Sequence, residues 1–197
     1  MPTRRKFLES AAVVSAAPFA PSVVFADGAQ HAQPMGVVYD SRYREARTLG
    51  LRSRQLGVPV RPIEGDITEL WQDELQGRWK STNVAIAGLT ERPALFMLEQ
   101  LAWDYGLRVV YQSEHEPDGL GGATHRVVRS IRTSLHRQLA AAGAGWPAVL
   151  ADQLLTGAEA VASNDITPSG AAMAAYLLEP TKLYSWIIAP RPAAALT

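Results

Sequence analysis

Ser113-Glu114-His115-Glu116 is the place in this chain where an imidazole adjoins carboxylates in sequence. An unperturbed imidazole titrates near neutrality, so His115 is the side chain best suited to move a proton at ordinary pH. Asp40 and Glu114 are its candidate carboxylate partners, and together they point to a small-molecule hydrolase or isomerase. A second group of residues suits binding: Asp40, Ser41, Asp66, Thr90 and Arg92 fall in turns that follow expected strands. Thr90 is placed to cap a helix, and Arg92 then lies beside free N–H groups at a positive helix end, an arrangement that suits a carboxylate or phosphate. Capping alone also accounts for the Thr90 side chain.

Other chemistry finds little support. A metal would need Asp40, Asp66, Glu114 and His115 to converge from separate loops, and no metal or other cofactor is expected. The chain has no cysteine, which removes disulfides, thiolate zinc sites and iron–sulfur clusters. Gly88-Leu89-Thr90 is not a dinucleotide fingerprint, and the chain carries no GxSxG, HExxH or P-loop pattern.

Loops like these need a sheet to hold them. The best-marked stretch is Asn83–Glu116: the apolar run Val84–Ala87, Pro93 in a first helical turn, a mostly apolar helix through Tyr105, Gly106 as a stop, and a β-rich run Leu107–Gln112. This reads as a βαβ unit with parallel strands and a buried crossover helix. Leu98 and Leu101 are expected to face the sheet and Glu99 to face water. Upstream, Gly36–Asp40 reads as a strand, Tyr43–Leu56 as a helix, and Val58–Ile63 as an edge strand, because Pro59 and Pro62 remove ladder donors. Asp66 is expected to cap a helix that buries Ile67, Leu70, Trp71 and Leu75. Three strand–helix steps predict an α/β fold, a doubly wound parallel sheet in the flavodoxin-like order 2-1-3-4.

Downstream, Pro117–Gly122 reads as a hinge, Val127–Ala142 as a basic amphipathic helix, and Pro147–Ser163 and Ala171–Leu178 as helical. Leu183–Ala189 is a strand that can extend the sheet. Residues 36–197 thus form one domain, with a βαβ core at 36–116 and a mainly helical part at 117–197. Residues 27–35 form a polar lead-in.

The chain has 197 residues, 47% hydrophobic and 19% charged, and a formal net charge of +0. Residues 1–26 carry Arg4, Arg5 and Lys6 against Glu9, so the remainder is at −2. Such a balance gives no support for nucleic-acid binding. Thr3-Arg4-Arg5-Lys6-Phe7-Leu8, followed by the weakly apolar run Ala11–Phe19 and by Val24-Phe25-Ala26, resembles the twin-arginine export signal family. Glu9 stands where that pattern often has lysine. The apolar run is shorter than the roughly 20 residues a bilayer span needs, so no stable membrane insertion is expected once the signal is cleaved. The resemblance implies export through the twin-arginine translocase to the periplasm or beyond, with cleavage after Ala26. That route carries folded proteins, some of which leave with a partner. The reading that follows is a binding or accessory component of an exported redox enzyme, with the His115 hydrolase or isomerase as the alternative. The remainder of the chain is similar to uncharacterised proteins bearing this signal, which implies no particular activity.

Overall fold

The computed structural model describes residues 34–129, 133–156 and 182–190. These residues form one six-stranded sheet, with helices on both faces. β1 (Val37–Asp40) leads through α1 (Arg44–Gln55) to β2 (Val60–Ile63). A helical stretch follows, made of α2 (Thr68–Leu70), a π turn (Trp71–Leu75) and α3 (Gln76–Ser81). Next come β3 (Ile86–Thr90), α4 (Arg92–Trp103), β4 (Leu107–Pro117) and β5 (Ala123–Arg129). The last described elements are α5 (Thr133–Ala141), α6 (Trp146–Thr156) and β6 (Leu183–Pro190). The signal-like residues 1–26 and the expected helix at 171–178 lie outside the described residues.

The strand order is β2-β1-β3-β6-β4-β5, which corrects the expected 2-1-3-4. β2, β1 and β3 are parallel as anticipated, and the proline-bearing β2 sits at an edge. β6 then inserts between β3 and β4, antiparallel to both, so the sheet is mixed rather than wholly parallel. The reason lies in its sequence. LYSWIIA is apolar on both alternating faces and lacks a polar side that water could solvate, so it belongs in the centre of a covered sheet. All seven of these residues are buried.

Three local expectations also change. Residues 127–129 are strand, not helix: Thr124, Val127 and Val128 suit a pleated strand, and the β4–β5 hairpin closes over Asp118–Gly122. There Asp118 N–H bonds the Gly122 carbonyl, and Gly119 and Gly121 take positive φ. Ser113–Glu116 belongs to β4 rather than to a loop at its exit. Asp66 accepts the Thr68 N–H at 2.9 Å and the Thr68 hydroxyl at 2.7 Å, so it ties the helical turn starting at Thr68 from two residues ahead.

Two apolar layers flank the sheet. One gathers Val37, Leu89, Tyr111, Leu183 and Ile187 under α1, α5 and α6, with Leu49, Leu139, Trp146 and Leu150 from the helices. The other gathers Val38, Ile86, Val109, Trp186 and Ile188 under α4 and the α2–α3 stretch. A bulge in β4 between Val109 and Tyr111 shifts the register against β6. It switches the odd-numbered residues from the second layer to the first, so Tyr111, Ser113 and His115 face α5 and α6. On α4, Leu98 is fully buried as expected, while Leu101 is only partly so. Glu99, expected in water, is buried beside Arg92, whose Nη2 lies 3.9 Å from its carboxylate. Burial raises the Glu99 pKa against the opposing pull of Arg92. Among the described residues no helix is long and apolar enough to cross a membrane.

Candidate functional site

The carboxyl ends of β1 and β3 flank the point where the chain order reverses, which is where ligands of open α/β sheets bind. Asp40 lies there, fully buried. Arg42 grips it with Nε on Oδ1 at 2.9 Å and Nη2 on Oδ2 at 2.6 Å, and Nη2 also reaches Glu91 at 2.6 Å. Tyr43 donates its hydroxyl to the other oxygen of Glu91. The Asp40 hydrogen bond, ahead of the Glu91 contact, raises the Arg42 pKa further above its already high value. Burial, with Glu91 adding to it, pushes the Tyr43 hydroxyl up to about 12. In this cluster two carboxylates share one guanidinium, and it joins the α1 start to the α4 start.

Beside it, a groove of about 900 Å³ runs between β2 and the α2–α3 stretch. Ser41 and Asp66 line it with Glu64, Glu69, Asp73 and Glu74, against Arg61 and Arg78. Glu74 takes both arginines, as an ion pair with Arg61 and at 3.2 Å from Arg78. The remaining carboxylates, Glu64, Asp66, Glu69 and Asp73, are exposed. Asp66 holds its proton more weakly than a free carboxyl because the Thr68 hydroxyl, and then backbone N–H groups, bond the charged form.

Thr90 and Arg92 do not join this site. Thr90 is the last residue of β3, and its hydroxyl accepts the Trp186 indole N–H at 3.0 Å. The N-cap position of α4 is Glu91, so Thr90 is not the cap that the sequence suggested. Arg92 turns inward, toward Glu99 and over the Tyr184 ring at 5.9 Å. An anion at this helix start would therefore meet Glu91 rather than Arg92.

His115 lies elsewhere, fully buried on the α5–α6 side. Its Nε2 is 2.7 Å from Ser185 Oγ, and its Nδ1 is 2.7 Å from Nδ1 of His125, directly opposite on β5. Ser185 Oγ is also 3.0 Å from the Tyr111 hydroxyl. The His115 ring stacks on Trp146 at 4.6 Å, and His125 meets the same indole edge-on at 5.1 Å. Burial, then the neighbouring His125, holds the His115 pKa well below its ordinary value. His125 is lowered to about 4 by burial and by His136. Glu114 projects from the opposite face of β4 and pairs with Arg126, whose Nε donates to it at 2.9 Å. The three residues proposed for acid–base work, His115, Asp40 and Glu114, thus stand in three separate environments. Among the described residues no three His, Asp or Glu side chains converge to hold a metal ion.

Sequence reasoning missed Ser185, His125 and Tyr111. One signal was available: Ser185 is a hydroxyl in the middle of an otherwise apolar strand, and such a group needs a partner. The fold and these sites define a mixed α/β protein with an acidic groove at its strand ends and a sealed histidine cluster. No family model, curated protein or solved structure matches the chain.

Proposed function

We propose that this chain is exported through the twin-arginine translocase and works by binding, as an accessory component of an exported redox enzyme, through the groove beside β2. The observation that carries the binding reading is the groove itself. It lies at the carboxyl ends of β1 and β2, is large enough for a side-chain cluster or a small ligand, and presents Asp66, Glu69 and Asp73 with no ion-pair partner among the described residues. A basic patch on a partner is the complementary surface. The export half of the proposal rests on Arg4, Arg5, Phe7 and Leu8.

Affinity purification of the mature protein from periplasm, followed by identification of what travels with it, tests the binding half. A Glu69→Lys/Asp73→Lys variant is expected to lose that partner while melting within about 1 kcal/mol of wild type, since both groups are exposed. Recovery of wild type only as a ligand-free monomer sinks the reading, and retention of the partner by the variant removes the groove from it. Export is tested separately. Arg4→Lys/Arg5→Lys is expected to leave the full-length precursor in the cytoplasm, and normal periplasmic accumulation of that mutant rules the route out.

A second reading, hydrolysis of a small ester or amide, draws on the Ser185–His115–His125 distances. They match the spacing of a nucleophile, a base and an orienting group. Against it stands the complete burial of Ser185 and His115 beneath Trp146. Stoichiometric labelling of Ser185 by a fluorophosphonate, lost in His115→Ala, is the result this reading requires; an unlabelled native protein discards it.

A further inference from the structure

We propose that the His115–His125 pair is an acid-sensitive latch that holds the β5–α5 edge of the domain onto β4 and releases it when the rings take up protons. Between the two Nδ1 atoms, 2.7 Å apart, there is room for one proton. One ring donates and the other accepts, so the contact exists only while at least one Nδ1 is bare. When both are protonated, two N–H groups face each other and the bond becomes a repulsion.

The surroundings leave that charge uncompensated. On β4 itself the neighbours are the Tyr111 and Ser113 hydroxyls, and on β6 the Ser185 hydroxyl, already bonded to His115. Burial pushes Tyr111 up to about 12, so it stays neutral. α6 contributes the Trp146 ring, whose face can steady one imidazolium but supplies no negative charge. α5 contributes His136, whose charge opposes protonation of His125 and offers it no negative partner. On the flanking strand positions, Glu114 and Arg126 are paired with each other on the opposite face of the sheet. Among the described residues, then, no carboxylate faces the two rings.

The release must occur at the edge. Among the described residues β5 pairs with β4 alone, whereas β4 is held on its other side by β6 from Leu107 to His115. His125 retains 7% exposure and His115 none, so protons enter from the β5 side. The sign follows from the shifts. Both histidines have closed-state pKa values below 6.5, so the open state binds more protons in acid. The closed form is fully favoured above about pH 6.5 and loses stability as the pH falls from there toward 4.

Hydrogen–deuterium exchange on the mature protein between pH 7 and pH 4.5, expressed as protection relative to the free peptide, reads this directly. Amides of Ala123–Arg129 are expected to lose protection by on the order of fiftyfold or more while β1, β3 and β6 keep theirs; the fiftyfold is the His125 shift alone converted by proton linkage, and His115 adds to it. His125→Gln, which can still bond His115 but does not titrate, should cut that loss about tenfold or more. Should that variant fail to fold, His136→Ala on the exposed side of α5 serves instead: with its opposition to His125 protonation removed, the acid loss should become shallower. Constant β5 protection in wild type, or an unchanged loss in whichever variant folds, overturns the latch.

Discussion

Trp186→Ala is expected to destabilise the domain by about 3–5 kcal/mol, the range for deleting a large aromatic from a packed core. Trp186 is fully buried on β6, the strand that joins the two halves of the sheet. Its ring covers Gly88 of β3 so closely that a Cβ built there would lie 2.3 Å from the indole and 2.6 Å from the Val38 carbonyl oxygen. Glycine at 88 is therefore required by the indole, and the indole in turn fills the space that a missing side chain leaves. Removing it opens a cavity that Gly88 cannot refill, and it deprives the Thr90 hydroxyl of its indole donor. Against a total stability of about 5–15 kcal/mol, the loss is large enough to see in any urea titration. Trp186→Phe separates the two contributions, since it keeps most of the packing and gives up the hydrogen bond, worth about 1 kcal/mol. A loss below about 1 kcal/mol in the alanine variant would mean that β6 is not the keystone described here.

What the chain disclosed in its sequence is the local half of this fold. The β1, α1 and β2 steps, the edge position of β2 and the β3–α4–β4 unit follow from short-range signals: alternating or continuous apolar runs, Pro59 and Pro62, and Gly106 with its positive φ. The order of strands depends on pairing between residues far apart, and nothing local says that Leu183–Pro190 must enter between β3 and β4. Its unusual apolarity on both faces hinted at a central place, but not at which one. Two polar residues misled for a related reason. Thr90 looks like a cap only while Trp186, 96 residues away, is out of view. Glu99 looks solvated only while the inward turn of Arg92 is unknown. Ser41 and Asp66 could be placed after their strands because strand ends can be located locally, and both line the groove. The partners of His115 were not legible, because a β4 bulge decides which way His115 faces and a hairpin, whose turn reads as a hinge and whose end from Val127 reads as helix, brings His125 opposite.

α4 supplies the second large effect. Leu98→Ala is expected to cost about 2–5 kcal/mol, because Leu98 is fully buried against the Trp186–Ile188 side of the sheet and its removal leaves a void with little freedom to collapse. Leu101 lies one turn further along the same helix but only partly within that layer. Its truncation removes fewer buried contacts, and water can enter what remains, so Leu101→Ala should cost about half as much or less. The comparison controls for helix propensity, since both variants exchange the same side chains in the same helix. Chemical denaturation of the two variants at one pH, with equal m-values, gives the difference directly. Equal losses would mean that α4 is rotated about its axis relative to the arrangement described. Arg92 and Glu99 would then no longer be turned inward, and the layer that backs β6 would have a different set of contacts.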